Sequence, residues 1–296
     1  MTSERTETSA RLLNQREGAD AGGTPPVIDA AFARWLADRA GQLLLQVRDE
    51  IGYADGKALK TAGDRAAHDL LCAELARWRP ADAVLSEEDD HSRVAWQDGE
   101  PSSVRPERLG ANRVWIIDPL DGTREFSEEG RTDWAVHVAL WSSDSGNPSH
   151  LAAGAVAMPA RHRTLATDHP PAYPPMPIDN GDGKSMRIAA SRTRPPAFVT
   201  ALAEEINAEL VPMGSAGVKI AAVINGEADA YIHAGGQYEW DSAAPVAVAL
   251  ATGLHASRID GSALKYNEAD PKLPDLVVCR KDLAPQLLAA LQRHLP

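Results

Sequence analysis

The chain has 296 residues, 44% of them hydrophobic and 24% charged, with a formal net charge of −12. That length is enough for one large or two modest domains with sizeable cores, and the composition is that of a globular protein. The acidic balance argues against a broad basic face for nucleic-acid polymers or anionic membranes.

Residues 1–26 are polar, lack the apolar core of a signal peptide and are expected to form a disordered tail. No run of 18 apolar residues exists, so no membrane span is expected. Apolar residues at helical spacing predict a helix over "VIDAAFARWLADRAGQLLLQVRDEIG" and a second over "GDRAAHDLLCAELARW". "DAVLSEEDD" reads as a short strand ending in acid. Residues 89–112 read as a loop with few apolar side chains, placed like a mobile lid after Glu87. Three strands follow: "RVWIID", "WAVHVALW" and "LAAGAVAMP". The Pro/Gly-rich loop 168–185 then separates an N-terminal α+β domain (27–185) from a C-terminal α/β domain (186–296). In the latter, "MRIAAS", "PAFVTALAEEINAEL", "GSAGVKIAAVINGE", "ADAYIHA", "DSAAPVAVALATG", "LHASRI", "LPDLVVC" and "LAPQLLAALQRHL" alternate strand and helix, a layered α/β order.

Cys72 and Cys279 are the only cysteines; they form no disulfide framework and fit a reducing, cytoplasmic compartment. "GDGKS" (181–185) lacks the upstream glycine and entering strand of a phosphate loop. The nine histidines show no zinc spacing, and "MGSAG" lacks the first glycine of a nucleophile elbow.

The informative stretch is "WIIDPLDGT". Asp-Pro and Asp-Gly are common in turns, so one reading is an Asx-type turn closing a strand. The other is that Asp118 and Asp121 point to one spot, where they share divalent cations with the Leu120 carbonyl. The N–H groups of Gly122 and Thr123 would then face a phosphate. Two carboxylates do not fill a magnesium shell, and further acids stand at element ends. Glu87 and Glu88 follow a short strand, where a solvated charge run is the ordinary reading. Asp241 opens a helix as a possible N-cap, and Asp64 offers another cap.

Taken together, "SEE", "WIIDPLDGT", Gly214-Ser215 and "WDSAAPVAVALATG" resemble the inositol monophosphatase superfamily of Mg²⁺-dependent, lithium-sensitive phosphatases. The resemblance runs from about Val27 to the C-terminus. It implies a five-layered α/β/α/β/α sandwich with the site between the domains. By motif, Glu87, Asp118 and the Leu120 carbonyl would bind a first Mg²⁺. Asp118, Asp121 and Asp241 would bind a second, and Glu87 would help hold a third through water. Asp64 and Thr123 would orient the attacking water. The family's Ala-Thr-Asp element reads Ala62-Gly63-Asp64 here, without its threonine. Hard oxygen ligands suit Mg²⁺, which supplies a nucleophile at neutral pH and relieves charge on the leaving oxygen. A purely metal-binding scaffold is the non-enzyme alternative, but it has no need of Asp64 or Thr123.

Within the superfamily, "DGTREF" is similar to the Asp-Gly-Thr-Lys-Glu-Phe of bisphosphate nucleotidases of the CysQ type. Inositol monophosphatases carry a glutamate seven residues before the "WD" aspartate, where this chain has Ala234. "ASRTR" partly matches the nucleotidase Ser-Arg-Ser-His element, and Lys219 matches the lysine of Gly-Ser-x-x-x-Lys. The resemblance therefore assigns Gly122, Thr123, Ser191, Arg192, Gly214, Ser215, Lys219 and Asp241 to the substrate. Arg192 and Lys219 are the candidates for a second phosphate, with a surface arginine and a helix-flank lysine as the ordinary readings. The expected substrate is a small phosphorylated one, 3′-phosphoadenosine 5′-phosphate, with inositol-1-phosphate or fructose-1,6-bisphosphate as the alternative. Family members are monomers or homodimers, and a homodimer is expected.

Overall fold

The computed structural model describes residues 24–88, 107–175, 186–193 and 195–293. The expected tail through residue 23, residues 89–106 of the expected loop 89–112, and "GDGKS" lie outside the described residues. Helices α1 (Asp29–Ile51) and α2 (Gly56–Trp78) pack side by side. Beneath them, β1 (Ala83–Ser86), β2 (Arg113–Asp121), β3 (Ala135–Ser142), β4 (Leu151–Met158) and β5 (Arg163–Ala166) form one sheet in chain order. Its β1–β2 pair is parallel and the rest are antiparallel. A short helix α3 (Thr123–Phe126) follows β2 directly.

The second sheet is ordered β7 (Glu209–Met213), β6 (Arg187–Ser191), β8 (Ala230–Tyr238), β10 (Lys272–Cys279), β9 (His255–Ser257). Among the described residues four further helices follow: α4 (Ala197–Glu205), α5 (Ala216–Ile224), α6 (Glu239–Thr252) and α7 (Ala284–Leu291).

Three apolar clusters give the layer order. The first joins Phe32, Leu36 and Leu44 of α1 to Trp115, Ile117 and Val138 of the first sheet. The second joins Val114, Ile116 and Ala139 on the opposite face of that sheet to α5, α6, Tyr231 and Val278. The third joins Ile188, Ile232 and Val277 to Val199 and Leu287 of the outer helices. The arrangement is the expected five-layered α/β/α/β/α sandwich. Because helices cover the first sheet on both faces, β2 and β3 read as continuous apolar runs without alternation. The middle cluster draws on residues from both sides of position 185.

Close approach between layers depends on missing side chains. A Cβ at Gly154 on β4 would lie 2.6 Å from Ala247 Cβ and 2.8 Å from the Ala244 carbonyl oxygen on α6. A Cβ at Gly63 on α2 would lie 2.7 Å from Phe126 Cε1 and 3.1 Å from Leu120 Cδ2. The threonine absent from the Ala62-Gly63-Asp64 element therefore has no room here, since Phe126 occupies its space.

Element boundaries differ from expectation in three places. Helix α2 begins seven residues before Gly63, where Asp55 accepts a hydrogen bond from Ala58 N at 2.9 Å. The helix expected over "PAFVTALAEEINAEL" stops early because Asn207 turns to φ 53° and Ala208 N bonds back to the Ala203 carbonyl at 2.8 Å. That is a left-handed helix stop, and it frees "ELVPM" to form β7 beside β6. Strand β5, unforeseen in the sequence, pairs with β4 at the sheet edge.

Gly63→Thr is expected to destabilise the fold by about 1–3 kcal/mol through overpacking, despite threonine's better helix propensity. Urea unfolding measures it, and pairing the change with Phe126→Leu should cost less than the sum of the two. A neutral Gly63→Thr would overturn this account.

Candidate active site

Residues three apart on a regular strand point to opposite faces. Asp118 and Asp121 nevertheless face the same way. Asp118 pairs with His137 and Asp121 with Ala135, so three steps on β2 oppose two on β3. This bulge at Pro119-Leu120 restores the parity, and proline suits it because no ladder N–H is required there. Leu120 points back into the α1–α2 core, while both carboxylates face the middle layer. The expected turn and the expected convergence are one feature.

Asp121 is then fixed by three groups that meet at a single oxygen. Ser215 Oγ donates to Oδ2 at 2.5 Å, Gly217 N donates at 2.7 Å, and His137 Nε2 lies 3.3 Å away. Ser215, at φ 52°, is also the N-cap of α5 and accepts from Val218 N at 3.0 Å. Asp241 sits in the first turn of α6, where Oδ2 accepts from Tyr238 N at 2.7 Å. It thus caps its own helix, as the ordinary reading held, and still reaches the cluster. One oxygen each of Asp118, Asp121 and Asp241 lies within 4.8 Å of the others. Glu87, just past β1, is hydrogen-bonded to Asp118, and Asp64 on α2 is near enough to repel it. Thr123 Oγ1 donates to the Leu120 carbonyl at 3.2 Å, and Asp118 Oδ1 accepts from Leu120 N at 3.0 Å.

The acids pay for this crowding in proton affinity. Burial, then repulsion by Glu88 and Asp64, pushes Glu87 up to about 7. Burial, then Asp121, raises Asp241 to about 7. Asp118 is raised well above the usual range by burial and then by Glu87, Asp121 and Asp241. Asp121 goes the other way. Burial alone would raise it, but His137, Ser215 and Gly217 outweigh burial and hold it at about 2. A hard, oxygen-only donor set whose members repel fits a divalent cation, and this acidic cluster can hold one.

The other expected residues gather at the adjoining end of the second sheet. Ser191, the last residue of β6, pairs with Met213, which leads into Gly214 and Ser215. Gly122 takes φ 85° against Asp133 and Ser215. Gly214 N donates to Asp133 Oδ2 at 2.6 Å, and its Cα leaves no space for a side chain beside Glu125. Arg192 directs its guanidinium to Glu125 at 3.0 Å and Glu128 at 2.9 Å. Lys219 lies inside α5 and is only 7% exposed, with Nζ 5.4 Å from the centre of the Tyr231 ring. Burial lowers its pKa, and Asp121, Glu125, Asp241 and Asp133 oppose that shift.

Three neighbours of the cluster escaped the sequence reading: His137, Asp133 and Gly217. His137 alone left a trace, as the one titratable group inside the apolar run "WAVHVALW".

Carboxylates brought together at a β2 bulge, a strand end and a helix start, within a five-layered sandwich, define a family. The chain belongs to the inositol monophosphatase family, whose profile matches residues 28–295. Among its relatives, a 3′-phosphoadenosine 5′-phosphate phosphatase of Mycobacterium leprae is 50% identical over 269 residues, covering 89% of this chain and 93% of that protein. The 3′(2′),5′-bisphosphate nucleotidase CysQ of Escherichia coli K12 is 29% identical, covering 78% of this chain and 91% of that protein. Mycobacterium tuberculosis SuhB shares the fold, with a TM-score of 0.63 at 22% identity over 92% of this chain and 98% of that one. Among the described residues no helix is long and apolar enough to cross a membrane.

The raised acids bind protons more tightly folded than unfolded, so their contribution to stability is present at low pH and is lost as pH rises through about 7. Metal-free protein should therefore melt at a lower temperature near pH 8 than near pH 6, and millimolar Mg²⁺ should raise the pH 8 value. Calorimetric melts with and without Mg²⁺ measure this. An unchanged melting temperature on adding Mg²⁺ would count against the site.

Proposed function

We propose that the chain is a Mg²⁺-dependent phosphatase that removes the 3′-phosphate of 3′-phosphoadenosine 5′-phosphate, leaving AMP. The corresponding 5′-phosphosulfate, giving adenosine phosphosulfate, is a second substrate in this reading, which places the enzyme in sulfate activation. The observation that carries the proposal is the meeting of three carboxylate oxygens within 4.8 Å, with Glu87 beside one of them. Kinship to the mycobacterial phosphatase supports the choice of substrate.

Glu87, Asp118, Asp121, Asp241 and the Leu120 carbonyl would hold two Mg²⁺, with Glu87 helping to hold a third through water. When bound, the cations make water a competent nucleophile near neutral pH and neutralise charge on the phosphoryl and leaving oxygens. The chain's own residues position the reactants. Thr123 Oγ1 donates a hydrogen bond to the Leu120 carbonyl, which leaves its oxygen to accept a hydrogen bond from the attacking water. Asp64, across from Glu87, accepts the other. The N–H groups of Gly122 and Thr123 hold the phosphate to be cleaved, and Ser191, Gly214 and Ser215 line the approach.

Lys219 and Arg192 supply positive charge for the 5′-phosphate. Arg192 already holds Glu125 and Glu128, so a phosphate there competes with two carboxylates. Ala234, on β8, offers no side-chain hydrogen bond to an inositol ring. A homodimer in the cytoplasm belongs to the same proposal.

Phosphate release with Mg²⁺ tests the reading. The bisphosphate nucleotide should exceed inositol-1-phosphate in kcat/KM by about 100-fold. Asp121→Asn should lower kcat by about 100-fold or more. Equal turnover of both substrates would favour the inositol phosphate alternative, and an Asp121→Asn variant as active as wild type would end the enzyme reading. Lys219→Met should raise KM for the bisphosphate nucleotide more than for inositol-1-phosphate.

A further inference from the structure

We infer that His137 is a positioning residue for Asp121, and that Gly217 is the notch that admits it. The inference rests on the metal-held reading above and adds a residue that makes no contact with metal or substrate.

His137 is fully buried, on the face of β3 that looks into the middle layer. Its Nδ1 lies 3.1 Å from the Trp240 carbonyl, which accepts only and therefore fixes the ring's orientation. The opposite nitrogen, Nε2, then faces Asp121 Oδ2 at 3.3 Å, an ion-pair contact made by the imidazolium form rather than a hydrogen bond. The ring thus spans from the residue before Asp241 to Asp121 itself, linking two members of the cluster through one rigid plane. With Ser215 Oγ and Gly217 N on the same Oδ2, the carboxylate is tied back by one oxygen, and Oδ1 would be left to meet a cation.

Gly217 makes this possible by what it lacks. A Cβ there would lie 2.0 Å from His137 Nε2 and 2.8 Å from Cε1, distances no side chain tolerates. The same glycine donates its N–H to Asp121. Imidazole and glycine therefore form a matched pair: position 217 accepts no side chain while the imidazole is in place. Groups that orient a metal ligand from behind commonly change metal affinity by about 10–100-fold when removed.

The test is direct Mn²⁺ binding to metal-free protein, followed by electron paramagnetic resonance, with no substrate present. His137→Leu should weaken Mn²⁺ binding about tenfold or more. His137→Gln and His137→Asn separate positioning from filling. Glutamine places an amide nitrogen as many bonds from Cβ as Nε2, whereas asparagine reaches only as far as Nδ1. Glutamine should therefore restore affinity to within about threefold of wild type and asparagine should not. Gly217→Ala should weaken binding in the wild-type background and do so less in His137→Ser, where the ring is gone.

Equal affinity of the Leu, Gln and Asn variants would overturn the positioning role, as would Gly217→Ala costing the same in both backgrounds. Should His137→Leu fail to fold, the Gln–Asn comparison decides alone. Absence of Mn²⁺ binding by the wild-type protein is a different result: it would remove the metal reading itself, and this inference with it.

Discussion

Like charges brought into a space closed to water repel, and the site is organised around that repulsion. Glu87, Asp118, Asp121 and Asp241 come from a strand end, a bulged strand and a helix start, and each is carried on an element whose other face is locked in an apolar core. The fold thus holds the acids together against their own field. Only Asp121 has enough donors to stay ionised, and the remaining three are pushed toward protonation. A cluster in that condition is stabilised by any arriving positive charge, which is the physical basis for reading it as a cation site.

The five layers divide the work. The first sheet supplies Asp118 and Asp121 from β2, with Glu87 from just past the neighbouring edge strand β1. Helix α6, sandwiched between the sheets, supplies Asp241, and α5 supplies the groups that restrain Asp121. A second set of contacts ties these parts together outside the cluster. Arg192 bridges Glu125 and Glu128, Gly214 N is held by Asp133, and Arg48 donates to the carbonyls of Glu128 and Arg131. The segment after β2 is therefore fastened both to α1 and to the end of the second sheet.

Much of this was legible in the sequence. Asp118, Asp121 and Asp241 stand in motifs whose local chemistry, a proline bulge and a helix start, is written in neighbouring residues. The acids do meet. The layer order was legible too, because strands covered on both faces carry unbroken apolar runs. What escaped depends on contacts between segments distant in the chain. The role of Gly63 follows from Phe126, more than sixty positions away. Strand β7 was hidden inside a helical pattern until Asn207 adopted a left-handed backbone. Gly217 looks like an ordinary helix residue unless the ring of His137, on another element, is already known to lie against it.

Gly154 carries a further consequence. Its hydrogen sits where a methyl would strike Ala244 and Ala247, so the gap between β4 and α6 is the smallest that backbone can make. Those two alanines ride on the same rod as Asp241. The position of a carboxylate is therefore gauged by contact one and two turns further along its helix, against a strand that contributes no acid. In a survey of tolerated substitutions, position 154 should behave like a member of the cluster although it carries no ligand group of its own.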